Sequence, residues 1–211
     1  MNPSETADSP RGMHWPLALG ITGASGAPYW KRLIEVLLRE GITVHVTASE
    51  NADTVARAEL GQGLEEVLDA AQRSAPNTGS LRFFDPRDFN APMASGSARY
   101  RGMIICPCSM GTLSRIAHGV SGDLMTRAAD VMLKERRRLL LVTRDTPHNL
   151  IHLENMVQVT RAGAVVMPAS PGFYYRPQSI DDLVDFVVQR ICDHLGMNVE
   201  LTRRWGSPSG D

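Results

Sequence analysis

The chain has 211 residues, with 22 basic and 23 acidic side chains and a formal net charge of −1. That length predicts one domain with a sizeable core, and the balanced charge excludes nucleic acid or an acidic membrane as an expected partner. Three cysteines argue against a disulfide framework, and with no apolar run long enough to span a membrane, a cytoplasmic protein is expected.

Residues 1–15 are polar, with Pro3, Pro10 and Gly12, and read as a disordered lead-in; 16–205 form the domain and 206–211 a tail. Residues 17–21 are an apolar strand, and 29–40 an amphipathic helix. Between them lies Gly20-Ile21-Thr22-Gly23-Ala24-Ser25-Gly26-Ala27-Pro28, a Gly-rich turn whose backbone N–H groups and helix dipole suit a phosphate. Its Gly-x-x-Gly-x-x-Gly spacing is not the dinucleotide fingerprint. Residues 42–48 are a β-branched strand, and Ser49 stands where an N-cap for a helix over 51–60 belongs. A short helix at 64–72, a strand at 81–84 and a long loop at 85–97 follow. Strand 102–106 runs into Pro107-Cys108-Ser109-Met110-Gly111-Thr112, a second strand-to-helix junction. Helix 123–137, strand 139–143, helix 149–162, strand 164–167 and a helix opened by Ser179, with Asp182 as its capping-box partner, complete the chain.

Apolar strands alternating with helices predict an α/β fold: a three-layer sandwich around a mostly parallel sheet. In such sheets ligands bind beyond the C-terminal strand ends. The turns at Gly23–Gly26, Ser49, Cys108–Thr112 and Arg144–Asn149 all leave such ends. No Gly-x-Ser-x-Gly elbow points to serine hydrolysis, no cysteine or histidine spacing points to zinc, and Cys108 reads as a buried hydrophobe. His148 and His152 read as a helix start and a packed face. The cations Arg127, Lys134, Arg144, Arg176 and Arg190 suggest a second phosphate, although the Lys134–Arg138 run alone reads as a solvated face.

Seven segments, in order, carry a resemblance: Thr22–Tyr29, Ala94-Ser-Gly-Ser97, Ile105–Leu113, Arg127–Val131, Leu133–Arg137, His152-Leu-Glu-Asn-Met156 and Pro171-Gly-Phe-Tyr174. From about Leu17 to Trp205 the chain resembles the flavin prenyltransferases of the UbiX type. The resemblance implies a Rossmann-like (flavodoxin-like) flavoprotein fold, a homododecamer and no metal. It also implies transfer of a dimethylallyl group from dimethylallyl phosphate to N5 and C6 of reduced FMN, for use by a UbiD-type decarboxylase, for example in ubiquinone biosynthesis. By position, FMN would be held by Gly23, Ala24, Ser25, Ser49, Ser109, Met110, Gly111, Thr112 and Arg127. Ser25, Glu59, Lys134 and Asp145 would be catalytic, Glu59 coming from a neighbouring subunit. Lys134, Arg144, Tyr174 and Arg190 would surround the donor phosphate, with Phe89, Ala94, Ser95 and Gly96 near the prenyl group. Asp145 stands where the family has glutamate, and Phe89 where it has tryptophan. The alternatives are an FMN-dependent cysteine decarboxylase of the same fold, a non-catalytic flavin carrier, and a nicotinamide dehydrogenase. The last lacks a Tyr-x-x-x-Lys pair and has Ser49 where an acidic ribose anchor belongs.

Overall fold

The computed structural model describes residues 15–75 and 79–206. The expected lead-in and tail lie outside the described residues, except for their inner edges. Trp15, read with the lead-in, is half-buried beneath the Arg99 guanidinium, 5.4 Å from its ring centre.

The chain alternates strand and helix: β1 (Leu17–Ile21), α1 (Ala27–Arg39), β2 (Thr43–Ala48), α2 (Asn51–Leu60), α3 (Leu64–Ser74) and β3 (Ser80–Phe83) form the first half. The second half is β4 (Gly102–Cys108), α4 (Met110–Ala117), α5 (Leu124–Lys134), β5 (Leu139–Thr143), α6 (Leu150–Arg161), β6 (Val165–Pro168) and α7 (Ile180–His194). All strands pair in parallel, in the order β3-β2-β1-β4-β5-β6. The order reverses between β1 and β4, so the crevice beyond their C-terminal ends is the expected binding place.

The central strands β1, β4 and β5 are buried throughout, which is why their sequences are continuous apolar runs rather than alternating ones. One core packs α1, α3 and α7 on one face through Trp30, Leu33, Leu37 and Val188. The other packs α5 and the loop before β4 through Met93, Met103, Met125 and Met132. Strand β4 runs two residues further than expected, and its ladder with β5 shifts between Ile105 and Cys108. That irregularity delivers Ser109 to the C-terminal edge.

α5 is the element whose direction matters most for function. Its Leu124 N–H meets the Pro86 carbonyl beyond the end of β3, and the residues after it meet the start of β4 through Met103 N–H and Arg138 O. α5 therefore runs from the C-terminal edge of the sheet to the N-terminal edge. Its ten-residue advance from Leu124 to Lys134 covers about 15 Å.

Candidate functional site

Two strand-to-helix turns meet at the switch point, joined by one side chain. Thr22 is 2 % exposed. Its hydroxyl donates to the Pro107 carbonyl at 2.7 Å and accepts from Ser109 N–H at 3.1 Å and Ala24 N–H at 3.3 Å. A hydroxyl has one proton and two lone pairs, and all are used. The turn after β1 and the turn after β4 are thus fixed to one another. Ser109 caps α4, accepting from Thr112 N–H at 3.2 Å. The N–H groups of Met110 and Gly111 remain without intrahelical partners and face the crevice end of the helix.

Ser49 behaves differently from the expected N-cap. Glu50 holds the cap position of α2 with no side-chain bond, and Ala52 N–H goes to the backbone carbonyl of Ser49. The Ser49 hydroxyl is buried and has no partner. A buried hydroxyl with no bond at the C-terminal end of a strand is an unmet donor for a ligand.

The Gly-rich turn also departs from expectation. The two N–H groups at the start of α1, expected to hold a phosphate, are taken by Glu59: Gly26 N–H lies 2.9 Å and Ala27 N–H 2.6 Å from its carboxylate. The resemblance implied a glutamate from a neighbouring subunit; here Glu59 caps the helix of its own chain. Gly26 has φ 126, where a side chain would be strained, and this conformation turns its N–H toward Glu59. Partial burial would raise the Glu59 carboxyl. Hydrogen bonds from Ser25, Gly26 and Ala27, and the nearby charge of Arg144, together hold it below the usual carboxylate range. A depressed pKa contributes stability above the unfolded value and loses it as pH falls through the native one. The melting temperatures of the native chain and Glu59→Gln should therefore differ most near neutrality. The difference should shrink as pH falls below the ordinary glutamate range and disappear once the native carboxylate is protonated.

Gly23 sits against the first turn of α2. A Cβ there would lie 2.5 Å from Asn51 Cβ and 3.2 Å from the Asn51 carbonyl carbon, with only backbone to yield. Gly23→Ala is expected to cost about 1–3 kcal/mol, read by thermal unfolding.

Arg144 follows β5, takes its backbone N–H to Cys108 O, and acts electrostatically on both Glu59 and Tyr29. It therefore joins Ser25 and Glu59. Asp145 is exposed, and its carboxylate accepts from Thr146 N–H. Tyr174 packs on Phe186 of α7, with Trp205 on its other side, ring centres 6.0 and 5.2 Å away. Arg190 lies one turn beyond Phe186 on the same face of α7 and pairs with Asp193.

A second group gathers around α5. Arg127 donates to Ala94 O at 3.1 Å and pairs with Asp130. Lys134 pairs with Glu135 beside Gly96. Arg137, read as part of a solvated face, instead donates to Ala98 O and Gly96 O at 2.6 and 2.7 Å. The loop bearing Ala94, Ser95 and Gly96 is thereby clamped to α5. His45 of β2 bonds Tyr100 at 2.7 Å and anchors the end of the same loop. Phe89 is half exposed in the loop after β3. The structure thus brings the predicted residues together as two groups. Arg144 just follows β5 and Lys134 precedes it, so their backbones lie toward opposite edges of the sheet, with the strand, about 15 Å long, between them.

Cys108 is fully buried and its thiol is pushed up to about 12, so it is no nucleophile at neutral pH. Among the described residues no three His, Cys, Asp or Glu side chains gather to hold a metal. The rings of His148 and His152 meet edge to face, 6.2 Å apart. Sequence reading missed Thr22 as a joint and Arg137 as a clamp. A buried threonine between two Gly- and Ser-rich turns is a usable signal for the first; nothing local marks the second.

The comparisons agree with this architecture. The flavoprotein family model matches residues 4–192. A flavin prenyltransferase UbiX of Halalkalibacterium halodurans is 50 % identical over 191 residues, 89 % of this chain and 92 % of that protein. The crystal structure of AnUbiX in complex with FMN and dimethylallyl pyrophosphate covers 93 % of this chain and 100 % of its own, with TM-score 0.86 and 39 % identity. That of a dodecameric FMN-dependent UbiX-like decarboxylase from Escherichia coli O157:H7 covers 91 % and 100 %, with TM-score 0.83 and 39 % identity. With its parallel sheet, its paired turns at the switch point and half of 191 aligned residues identical to those of a family member, the chain belongs to the UbiX flavin prenyltransferase family of flavoproteins.

Proposed function

We propose that this protein joins a dimethylallyl group from dimethylallyl phosphate, or its diphosphate, to reduced FMN, making prenylated FMN for a UbiD-type decarboxylase. The observation that carries the reading is the Thr22-bolted pair of turns, with the unbonded Ser49 hydroxyl and the free N–H groups of Met110 and Gly111 at the sheet's switch point. These donors fit a flavin phosphate, and Gly111 has open space around it for close approach. Gly23, Ala24, Ser25, Ser109, Thr112 and Arg127 complete the flavin-binding set. Reduced FMN supplies the electron-rich N5 and C6 positions of its ring.

The chain's own part is electrostatic and positional. Breaking an allylic C–O bond leaves charge on the phosphate, and Lys134, Arg144 and Arg190 stabilise that charge without a metal. Tyr174 and Phe89 offer aromatic faces to the allylic cation. Ser25, bonded to the Glu59 carboxylate, forms a proton path beside the ring, and Asp145 is the second candidate acid–base group. Holding donor and acceptor in contact supplies up to about 7–11 kcal/mol.

The backbones of Lys134 and Arg144 lie toward opposite sheet edges, which supports a phosphate held by these two cations from different copies. The active site in this reading lies between copies, in a closed assembly such as a dodecamer. Lys134 and the Ala94–Gly96 loop then come from one copy and Ser25, Glu59 and Arg144 from another. The deciding experiment is anaerobic incubation with reduced FMN and each donor, followed by the mass of the released flavin. A gain of one five-carbon unit is expected; unchanged FMN with both donors would leave a flavin carrier.

A further inference from the structure

The edge of the sheet opposite the paired turns carries a cleft of about 590 Å³. Arg101, just before β4, and Arg136, Arg137 and Arg138, just before β5, form its walls. The end of α6, at Ala162 and Gly163, closes it. No carboxylate lines it among the described residues. A concave space of this size suits a small ligand.

The charges around the cleft leave a clear excess. Glu135 is next in the chain to Arg136, but its carboxylate pairs with Lys134, so those two charges cancel. Arg137 is spent on the carbonyls of Gly96 and Ala98, which are neutral and leave its charge in place. Arg101, Arg136 and Arg138 have no carboxylate partner among the described residues. Arg101 is half-buried; burial and the charge of Arg138 both push its guanidinium below the usual value, so two cations face each other unrelieved. The C-terminal ends of α5 and α6 are negative, at about half a charge each. Together they offset about one of four guanidiniums. Arg161, in the last turn of α6, adds a further cation nearby.

The backbone at Arg136 is a second sign. Arg137 N–H returns to Met132 O at 2.8 Å and Arg136 N–H to Leu133 O at 3.1 Å, the bonds that end a helix through one left-handed residue. Glycine is the usual residue there; this chain has arginine at φ 52. The strain is borne where the side chain borders the cleft.

We propose that this cleft is a binding site for an oligophosphate, a chain of linked phosphoryl groups held by Arg101, Arg136 and Arg138 at the sheet edge remote from the flavin turns. A guanidinium fork matches two phosphate oxygens at once, and three forks on one concave wall match several linked phosphates better than one. The site is separate from the transfer reaction and does not rest on it. Leu133 and Val165 supply its apolar surface, and no aromatic ring lines it to stack a base. The phosphate chain is therefore the part recognised, whether free or as the tail of a nucleotide.

Calorimetry on the full chain with bound FMN tests this. Inorganic tripolyphosphate should bind at least about tenfold tighter than monophosphate, and Arg138→Gln and Arg136→Gly should each weaken it about tenfold. Arg190→Met, which strips a cation from the proposed donor site, should change it less than about threefold. Arg136→Gly puts the favoured residue at a left-handed position, so it should melt at or above the native temperature while losing the anion. That combination separates binding from folding. ATP bound more tightly than tripolyphosphate would make a nucleotide the source of the phosphate chain, and equal binding the chain alone; both uphold the site. Tripolyphosphate bound no tighter than monophosphate, or weakened only by Arg190→Met, overturns it and leaves the arginines as partners of the two helix ends. Preference for a hexaglutamate peptide over tripolyphosphate also overturns it, in favour of an acidic protein segment.

Discussion

Assemblies containing both Arg144→Met and Lys134→Met chains are expected to regain flavin prenylation that neither variant shows alone. Each substitution removes one fixed cation from the leaving phosphate, which should lower turnover about 10²–10³-fold. The two cations flank β5, one after Thr143 and one before Leu139, and on the proposed reading they reach one phosphate from two different copies. In a mixed assembly, a site formed by the native Arg144 of one copy and the native Lys134 of another is whole. Random pairing makes such sites about a quarter of the total. Co-expression with two different tags and purification through both secures mixed assemblies. Activity near a quarter of native would establish a shared site. Mixed assemblies as inactive as their parents would show that the two cations do not meet across copies.

The same separation explains what was legible in the sequence. Most elements with continuous apolar runs or 3.6-residue periodicity were bounded within a residue or two, and β1, β5 and α2 agree with expectation at both ends; α5 stops at Lys134, three residues short of the expected end at Arg137, because Glu135 caps it and Arg136 takes a positive φ. The burial that made them readable is also what holds them in the core. The site was readable as turns, because Gly23, Gly26, Ser109 and Gly111 are residue types that strand-to-helix junctions require. What those turns bond to was not readable. Glu59 lies 33 residues from Gly26, and its role as cap of α1 depends on how α2 packs beside α1. Ser49 has a favoured capping residue's identity and none of its bonds. Arg137 belongs to a charged run that composition reads as solvated, yet two loop carbonyls accept from it because the Gly96–Ala98 loop happens to pass there. Polar side chains with long-range partners carry no periodic signal; only the fold assigns them.

Thr22 offers the sharpest case of such a partner. Thr22→Val keeps the shape of the side chain and removes only its hydrogen-bonding capacity. It would leave Ser109 N–H and Ala24 N–H unbonded and take one of the two donors from Pro107 O. Orphaning two N–H groups in a largely buried joint costs about 2–4 kcal/mol. Part of that should appear as a lower melting temperature. The rest should appear as weaker FMN binding, because the turn after β1 and the N-terminus of α4 would no longer be held in register. A tenfold or larger rise in the FMN dissociation constant, followed by quenching of flavin fluorescence, is the expected result. Thr22→Ser restores the hydroxyl and loses only a methyl, so it should bind FMN within a few-fold of native despite some loss of stability. If both variants lose stability alike and keep native flavin affinity, Thr22 is only a packing residue, and the two turns are held together by the β1–β4 ladder alone.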